Sequence, residues 1–376
     1  MLRLLNVMQG MESVTRQTGQ HMDYEPEWES AFNLHIKLAN TISLVLEWCA
    51  SDKEVLMKLY VMVMRCISNN GFIVSLCKTE ERTVAGHVAQ CKNYDVTSKP
   101  VSIHLPLSRF FAGIYLHLGT FDLTFDNAMS GTKRTPEELM EPILCTQAMI
   151  AQVHANMWRR NGYSLLHQLY FYRNVRCRTE MLDRDIVGMQ IGAALIESNQ
   201  YLIHILNKFN LIEWIQPQYE ESLSGASPTD DDFIRQLSMI DEFLELLIVI
   251  IGERCVPGVA HVTEEDRAKK EIIQLLCIKS YSRSELNRSL PDAYNATFVQ
   301  DIIDQVAVFK KPQRADDKGV YVLKEELYDN YNMYFYHYTK EEKSKSEETQ
   351  RLRRKTKGEL VCCPPPKLAK LSNGFV

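Results

Sequence analysis

The sequence predicts a mainly α-helical protein, and three observations carry that prediction. Apolar residues recur at steps of three and four through most of the first 262 positions, strand-like runs are short, and capping signals precede the periodic stretches. The expected architecture is a helical scaffold over 1–262 with a small β region at about 72–105 and a surface loop at 119–135. A compact unit over 263–327 follows, then an aromatic linker, a charged helix and a disordered tail over 328–376.

Residues 1–22 are helical by propensity but have no evident partner, as if the chain began in the middle of something larger. Glu25-Pro26 opens a helix, and Phe32, Leu34, Ile36, Leu38, Ile42, Leu44, Val45 and Trp48 give it a broad apolar stripe. Ser51 with Glu54 is expected to cap the next helix, which Asn70-Gly71 ends. Phe72-Ile73-Val74, Thr83-Val84 and Val101-Ser102-Ile103 are expected as short strands, because branched and aromatic residues favour them. Helices follow from Pro106 and from Thr135-Pro136, where proline suits a first turn. The run Ile150–Cys177 turns at Asn161-Gly162, Gly188–Ile215 adds two helices, and GASPTDDD at 225–232 is a polar surface insertion.

From Thr263 the local signals are densest. Thr263 with Asp266, Ser282 with Glu285 and Thr297 with Gln300 each resemble a capping box. They precede helices bearing Ile272 to Ile278, Leu286 with Leu290, and Val299 to Val306. Two strand-like runs, Val306–Phe309 and Val320–Leu323, flank the charged turn Gln313–Gly319. Three helices and a hairpin make a winged helix. Its third helix would show Gln300, Asp301, Asp304 and Gln305 outward, and Glu264–Glu326 holds eleven Lys and Arg against twelve Asp and Glu. That balance lacks the electrostatic term of nucleic-acid binding, so a protein-interaction or structural module is expected and a nucleic-acid binder is the alternative. The aromatic run Asn332–Tyr338 is expected to pack onto this module. Lys340–Lys357, with eight basic and four acidic residues and a single leucine, reads as a solvated helix.

A net charge of −5 implies neither a polyanion nor a membrane partner, and the amino terminus carries charge too early for a secretory segment. The expected location is the cytoplasm or nucleus. Ten cysteines lie scattered without a C-x-x-C pair, most of them inside apolar helical runs, where a free thiol packs as a small hydrophobe. Cys77, His87, Cys91 and His104 are the candidate zinc ligands, but their spacing lacks the paired knuckles of structural sites, and no metal is expected. His154 and His167 are candidates for catalysis without a serine or cysteine motif beside them. Arg159, Arg160, Arg173, Arg176 and Arg178 are expected to pair with Glu180, Asp183 and Asp185 rather than to bind phosphate. Phosphate-loop, nucleophile-elbow and H-E-x-x-H motifs do not occur in the sequence, and no catalytic residue is assigned.

Longer words carry more than these motifs. LRLLNVMQGMESVTRQTGQH, VSIHLPLSR, ANMWRRNG, RDIVGMQIGA, GERCVPGV, EIIQLLCIKS, VAVFKKP, GVYVLKEEL, MYFYHYTK and KSKSEETQR resemble the middle of a UBR-box E3 ubiquitin ligase of the N-recognin branch, from Leu2 to about Pro366. The resemblance implies ubiquitin-dependent degradation of proteins with destabilising N-terminal residues, through a RING that recruits an E2 enzyme. It implies that the zinc-binding UBR box and the RING lie in segments outside this stretch, so no cofactor is expected in it. E2, N-degron substrates and the rest of the ligase chain are the implied partners. The closing KLAKLSNGFV departs from the proline-rich continuation the resemblance leads one to expect.

Overall fold

A computed structural model describes residues 1–19, 28–128, 134–219, 231–291, 294, 296–312, 318–362 and 365–376. The chain divides into two compact units, Met1–Ile250 with Asn373–Val376, and Ile251–Ser372. The second unit thus begins at Ile251, ahead of the capped helix that follows Thr263.

Among the described residues, unit 1 is helical around one small hairpin. Its helices are α1 (Leu2–Met8), α2 (Glu29–Ser51), α3 (Lys53–Asn69), α4 (Gly71–Ser75), α5 (Pro106–Tyr115), α6 (Phe125–Ala128), α7 (Pro136–His154), α8 (Ser164–Arg173), α9 (Leu182–Leu195), α10 (Ser198–Lys208) and α11 (Asp231–Gly252), whose last two residues fall in unit 2. The hairpin pairs β1 (Thr79–Val84) with β2 (His87–Lys92) antiparallel, Val84 opposite His87. The Glu25-Pro26 helix start and most of the GASPTDDD insertion lie outside the described residues.

Several expectations are corrected here. The amino-terminal helix does have a partner: Leu5 and Met8 are buried, and α1 packs on α3 and α5. Gln9, just beyond it, caps a helix far away in sequence, its Oε1 accepting from Leu107 N at 3.0 Å and Ser108 N at 3.3 Å. Those amides belong to the first turn of α5, whose own N-cap Leu105 offers no side-chain acceptor. Phe72-Ile73-Val74 is α4, not a strand, because the Asn70 side chain accepts from Ile73 N at 3.1 Å and starts a new helical turn. Val101 makes one isolated bridge, to Val14, instead of a strand. Asp52, not Ser51, caps α3 through Glu54 N and Val55 N. Gly10 stands at φ +83°, and a Cβ there would lie 2.4 Å from Phe72 Cγ, so the aromatic ring rests on bare backbone.

Unit 2 holds α12 (Glu264–Ile278), α13 (Arg283–Ser289), α14 (Ala296–Val306), β3 (Ala307–Lys310), β4 (Val320–Leu323) and α15 (Lys340–Lys357). Both capping boxes form, Thr263 with Asp266 and Ser282 with Glu285. The third does not: α14 begins at Ala296, so Thr297 sits inside its first turn, and the residue ahead of the helix is outside the described residues. β3 and β4 pair antiparallel with Val308 opposite Val322, and most of the expected charged turn between them lies outside the described residues. One core joins Ile272, Leu276, Leu286, Val299, Ile303, Val306 and Leu323 to the aromatic run through Tyr331, Phe335 and Tyr338.

The tail is ordered, contrary to its composition. Within unit 2, Leu371 bridges Ala260, and Ser372 N donates to Val259 O at 2.9 Å. Within unit 1, Phe375 is buried with its ring 5.6 Å from that of Tyr115. A short polar segment gains order when distant backbone and an aromatic slot satisfy it, which composition alone does not reveal. No described helix is long and apolar enough to cross a membrane.

Candidate functional site

The chemistry that distinguishes unit 1 is a set of charges taken wholly out of water. Arg109 on α5 meets Asp185 on α9 through two parallel bonds, Nε to Oδ1 at 2.7 Å and Nη2 to Oδ2 at 2.8 Å. The two side chains are 2% and 0% exposed. Tyr172 of α8 donates to Asp185 Oδ2 at 3.0 Å, and Gln147 of α7 donates to the Tyr172 hydroxyl at 3.0 Å. Four helices therefore close on one carboxylate, which sits in the first turn of α9, where the helix dipole favours an anion. Burial works against the guanidinium charge, yet Asp185 beside it holds the Arg109 pKa above its ordinary value. The bidentate fork fixes angle as well as distance.

A second lock ties the hairpin to the helices. Lys208 of α10 reaches Glu141 of α7 at 2.5 Å, both side chains 2% exposed, and its Nζ donates to the carbonyls of Lys92 at 3.3 Å and Tyr94 at 2.8 Å. Burial opposes the ammonium charge, but Glu141 holds the Lys208 pKa up by charge and by a hydrogen bond. Burial pushes the neighbouring Cys145 thiol far up, which leaves it a packing residue rather than a nucleophile. Lys92 of β2 also faces Glu138 at 3.6 Å, and Glu138 is bound in turn by Arg134 at 3.2 Å.

The four candidate zinc ligands are not brought together. Cys77 lies two residues beyond α4 with its Sγ toward Ile73 O at 3.2 Å, and His87 is exposed at the turn into β2. Cys91 packs with Val84, Ala89 and Ile203. His104 is fully buried, stacked on His35 with ring centroids 5.2 Å apart and edge-on to Phe32 at 4.7 Å. Burial and then Arg109 lower the His35 pKa to about 3, and burial and then His35 lower that of His104. Among the described residues, no group of three or more His, Cys, Asp or Glu is arranged to hold a metal. Of the candidate catalytic histidines, His154 Nδ1 pairs with Glu242 Oε2 at 2.7 Å and His167 packs 6.1 Å from the Trp28 ring.

The arginine network differs from expectation at Asp185 and Glu180. Asp185 is taken by Arg109, and Glu180 faces Arg184 at 3.8 Å. Arg159 and Arg160 instead line a cleft of about 760 Å³ with Arg16, Asn156 and Asn210, and with Arg235, which Asp231 and Asp232 bridge at 3.6 and 2.9 Å. In unit 2, Asp301 and Asp304 are exposed on α14, as expected, and Gln300 is bonded to Asp304 at 2.7 Å.

Two family models match this chain: a UBR1/2/3-like ARM repeat domain over residues 1–246, and the winged-helix domain of UBR1-like E3 ubiquitin-protein ligases over 267–365. The chain belongs to the UBR1/2/3-like family of E3 ubiquitin ligases. Fruit-fly (Drosophila melanogaster) E3 ubiquitin-protein ligase UBR1 is 65% identical over 100% of this chain and 21% of its own length. Mouse (Mus musculus) UBR2 is 40% identical over 98% of the chain and 21% of its own. Arabidopsis thaliana PRT6 is 27% identical over 64% of the chain and 12% of its own. The chain thus spans about a fifth of the length of the first two relatives.

In this UBR1/2/3-like chain the residues that sequence reasoning missed are Arg109, Glu141 and Lys208. Each is a charge inside an otherwise apolar run: LPLSRFFAGIY around Arg109, MEPILC around Glu141, and YLIHILNKFNL around Lys208. A charge on the inward face of such a run needs a buried partner, and that is the signal that could have found them.

Proposed function

We propose that this chain is a non-catalytic scaffold segment of a RING-type ligase that recognises destabilising N-terminal residues and promotes ubiquitination and degradation of their bearers. The observation that carries the reading is the Arg109–Asp185 fork, which joins α5, α7, α8 and α9 through one buried carboxylate. Ubiquitin transfer depends on holding a thioester near a substrate lysine, so a segment of fixed geometry contributes through distance and orientation. The match to E3 ligases over both units supports this assignment. On this reading zinc belongs to a UBR box and a RING in other parts of the ligase, with E2 and N-degron substrates engaged there. The ligase acts in the cytoplasm or nucleus. The winged helix serves protein contact, which its exposed Asp301 and Asp304 favour over nucleic acid.

The test replaces the matching segment of the fruit-fly relative with this chain. The chimera is expected to ubiquitinate a reporter with a destabilising N-terminal residue. The chain alone, mixed with E1, E2, ubiquitin and ATP, is expected to transfer nothing, and transfer by the chain alone would contradict the proposal.

A further inference from the structure

Helix α11 has two apolar faces, and unit 1 uses one of them. Met239, Phe243, Val249 and Ile250 are buried, Phe243 against the rings of Phe209 and Trp214. On another face Ile234, Leu237, Leu244 and Ile248 are 47%, 49%, 44% and 39% exposed. With exposed Asp241 between them, these positions advance by three, four, three and four residues, the a/d seam of a heptad. Scattered exposed aliphatics need no explanation, but four in register along one line mark an interaction surface.

Charge decides what fits there. Arg235 is the one cation between Asp231 and Ile250, and it is already bridged to Asp231 at 3.6 Å and Asp232 at 2.9 Å. Asp241 lies at the centre of the seam, so a second copy laid parallel would set Asp241 against Asp241, and one laid antiparallel would set each Asp241 against Leu237 or Leu244. Like charges face to face, or a carboxylate buried against leucine, disfavour self-pairing, whereas a lysine or arginine opposite Asp241 would complete the seam. Relatives of which this chain spans 21% carry long segments that a tether would hold at high effective concentration. We propose that residues 234–248 of α11 dock a basic amphipathic helix from a part of the ligase polypeptide beyond this chain. Aliphatic residues of that helix fill the seam, and a lysine or arginine meets Asp241. This inference rests on the scaffold reading.

The experiment uses the same fruit-fly chimera with the photo-reactive residue p-benzoylphenylalanine in place of Leu244, an exposed position, followed by irradiation and peptide mapping. The expected result is a cross-link within one polypeptide, concentrated in one segment rich in lysine, arginine and leucine. Asp241→Lys and Leu237→Asp, both at exposed positions, are each expected to reduce that cross-link about tenfold, the size of one lost charge or apolar anchor. A synthetic peptide of the cross-linked segment should bind the 376-residue chain, lose affinity for Asp241→Lys, and regain it when its own basic residue is changed to Glu. Cross-links to a second copy, to a segment without basic residues, or to nothing would overturn the inference. Reporter ubiquitination in the same preparation separates the two readings. A chimera that transfers ubiquitin without the cross-link refutes the docking alone, and a chimera that transfers none refutes the scaffold.

Discussion

Unit 1 takes two ion pairs wholly out of water, Arg109 with Asp185 and Lys208 with Glu141, each side chain at most 2% exposed, beside neutral buried bonds such as Gln147–Tyr172 and Trp158–Gln152. In unit 2 the buried polar contacts are mostly neutral. Gln274 donates to Asn330 O at 2.8 Å and accepts from Asn332 N at 2.9 Å, Tyr338 donates to Gln274 O at 2.6 Å, and Tyr331 meets Ser346 at 2.9 Å. Among the described residues the exceptions include His337–Glu271, at 2.8 Å, and Lys270 with the buried Glu253, at 2.7 Å. Many other ion pairs of unit 2, such as Lys279–Glu285 and Lys345–Glu341, are exposed. The difference teaches how each unit keeps its shape. A buried charge pair adds little net stability over an apolar core, but removing one partner strands the other, so it tolerates one arrangement only. A neutral network over an apolar core yields more gradually.

The sharpest way to break the comparison is Asp185→Ala, which leaves the Arg109 guanidinium buried without its carboxylate. The expected loss is about 3–5 kcal/mol from the unfolding free energy of unit 1. All four tryptophans, Trp28, Trp48, Trp158 and Trp214, lie in unit 1, so tryptophan fluorescence in urea follows that transition alone. The double replacement Arg109→Met with Asp185→Leu should recover most of the loss, because the stranded charge goes with its partner. Next in size is Gly10→Ala, expected to cost about 2 kcal/mol through its positive φ and the clash with Phe72, read in the same way.

Acid separates the units without mutation. The folded state favours neutral His35, whose pKa burial lowers to about 3 from 6.5. Its stabilisation is therefore complete above about pH 6.5 and is lost as pH falls toward 3. Glu285 in unit 2 is held at about 2 by the Ser282 backbone and side chain, so its contribution persists until pH falls below its ordinary 4.5. Urea midpoints at pH 7 and 5 should fall for the tryptophan transition, and a midpoint that does not move would remove His35 and its partner His104 from the account. The smallest expected effect is Ser282→Ala. It removes one capping box of unit 2, costs about 1 kcal/mol, and should leave the tryptophan transition unmoved.

The same contrast governs what could be read in the sequence. The winged helix was legible because its signals are local: two capping boxes, a three/four apolar period and a pair of branched runs each stand within a few residues of what they specify. The candidate site of unit 1 was not. Arg109 and Asp185 are 76 residues apart, and proximity along the chain pointed Asp185 at the wrong arginines. Gln9 caps a helix 98 residues on, which no window-based pattern contains. Phe72-Ile73-Val74 has the composition of a strand, and a single Asn70 side chain overrides it. The ordered tail was missed for the same reason, since Phe375 finds its slot beside Tyr115 only in three dimensions.

Amide hydrogen exchange of the intact chain, with and without Asp185→Ala, tests the central claim most directly. If the buried fork holds four helices in one arrangement, amides of α5 and α9 exchange only through global opening of unit 1. They then lose that protection in the variant, while α12 and α14 are unchanged. Protection of α5 and α9 that survives the substitution, or falls no further than that of α12, would contradict it.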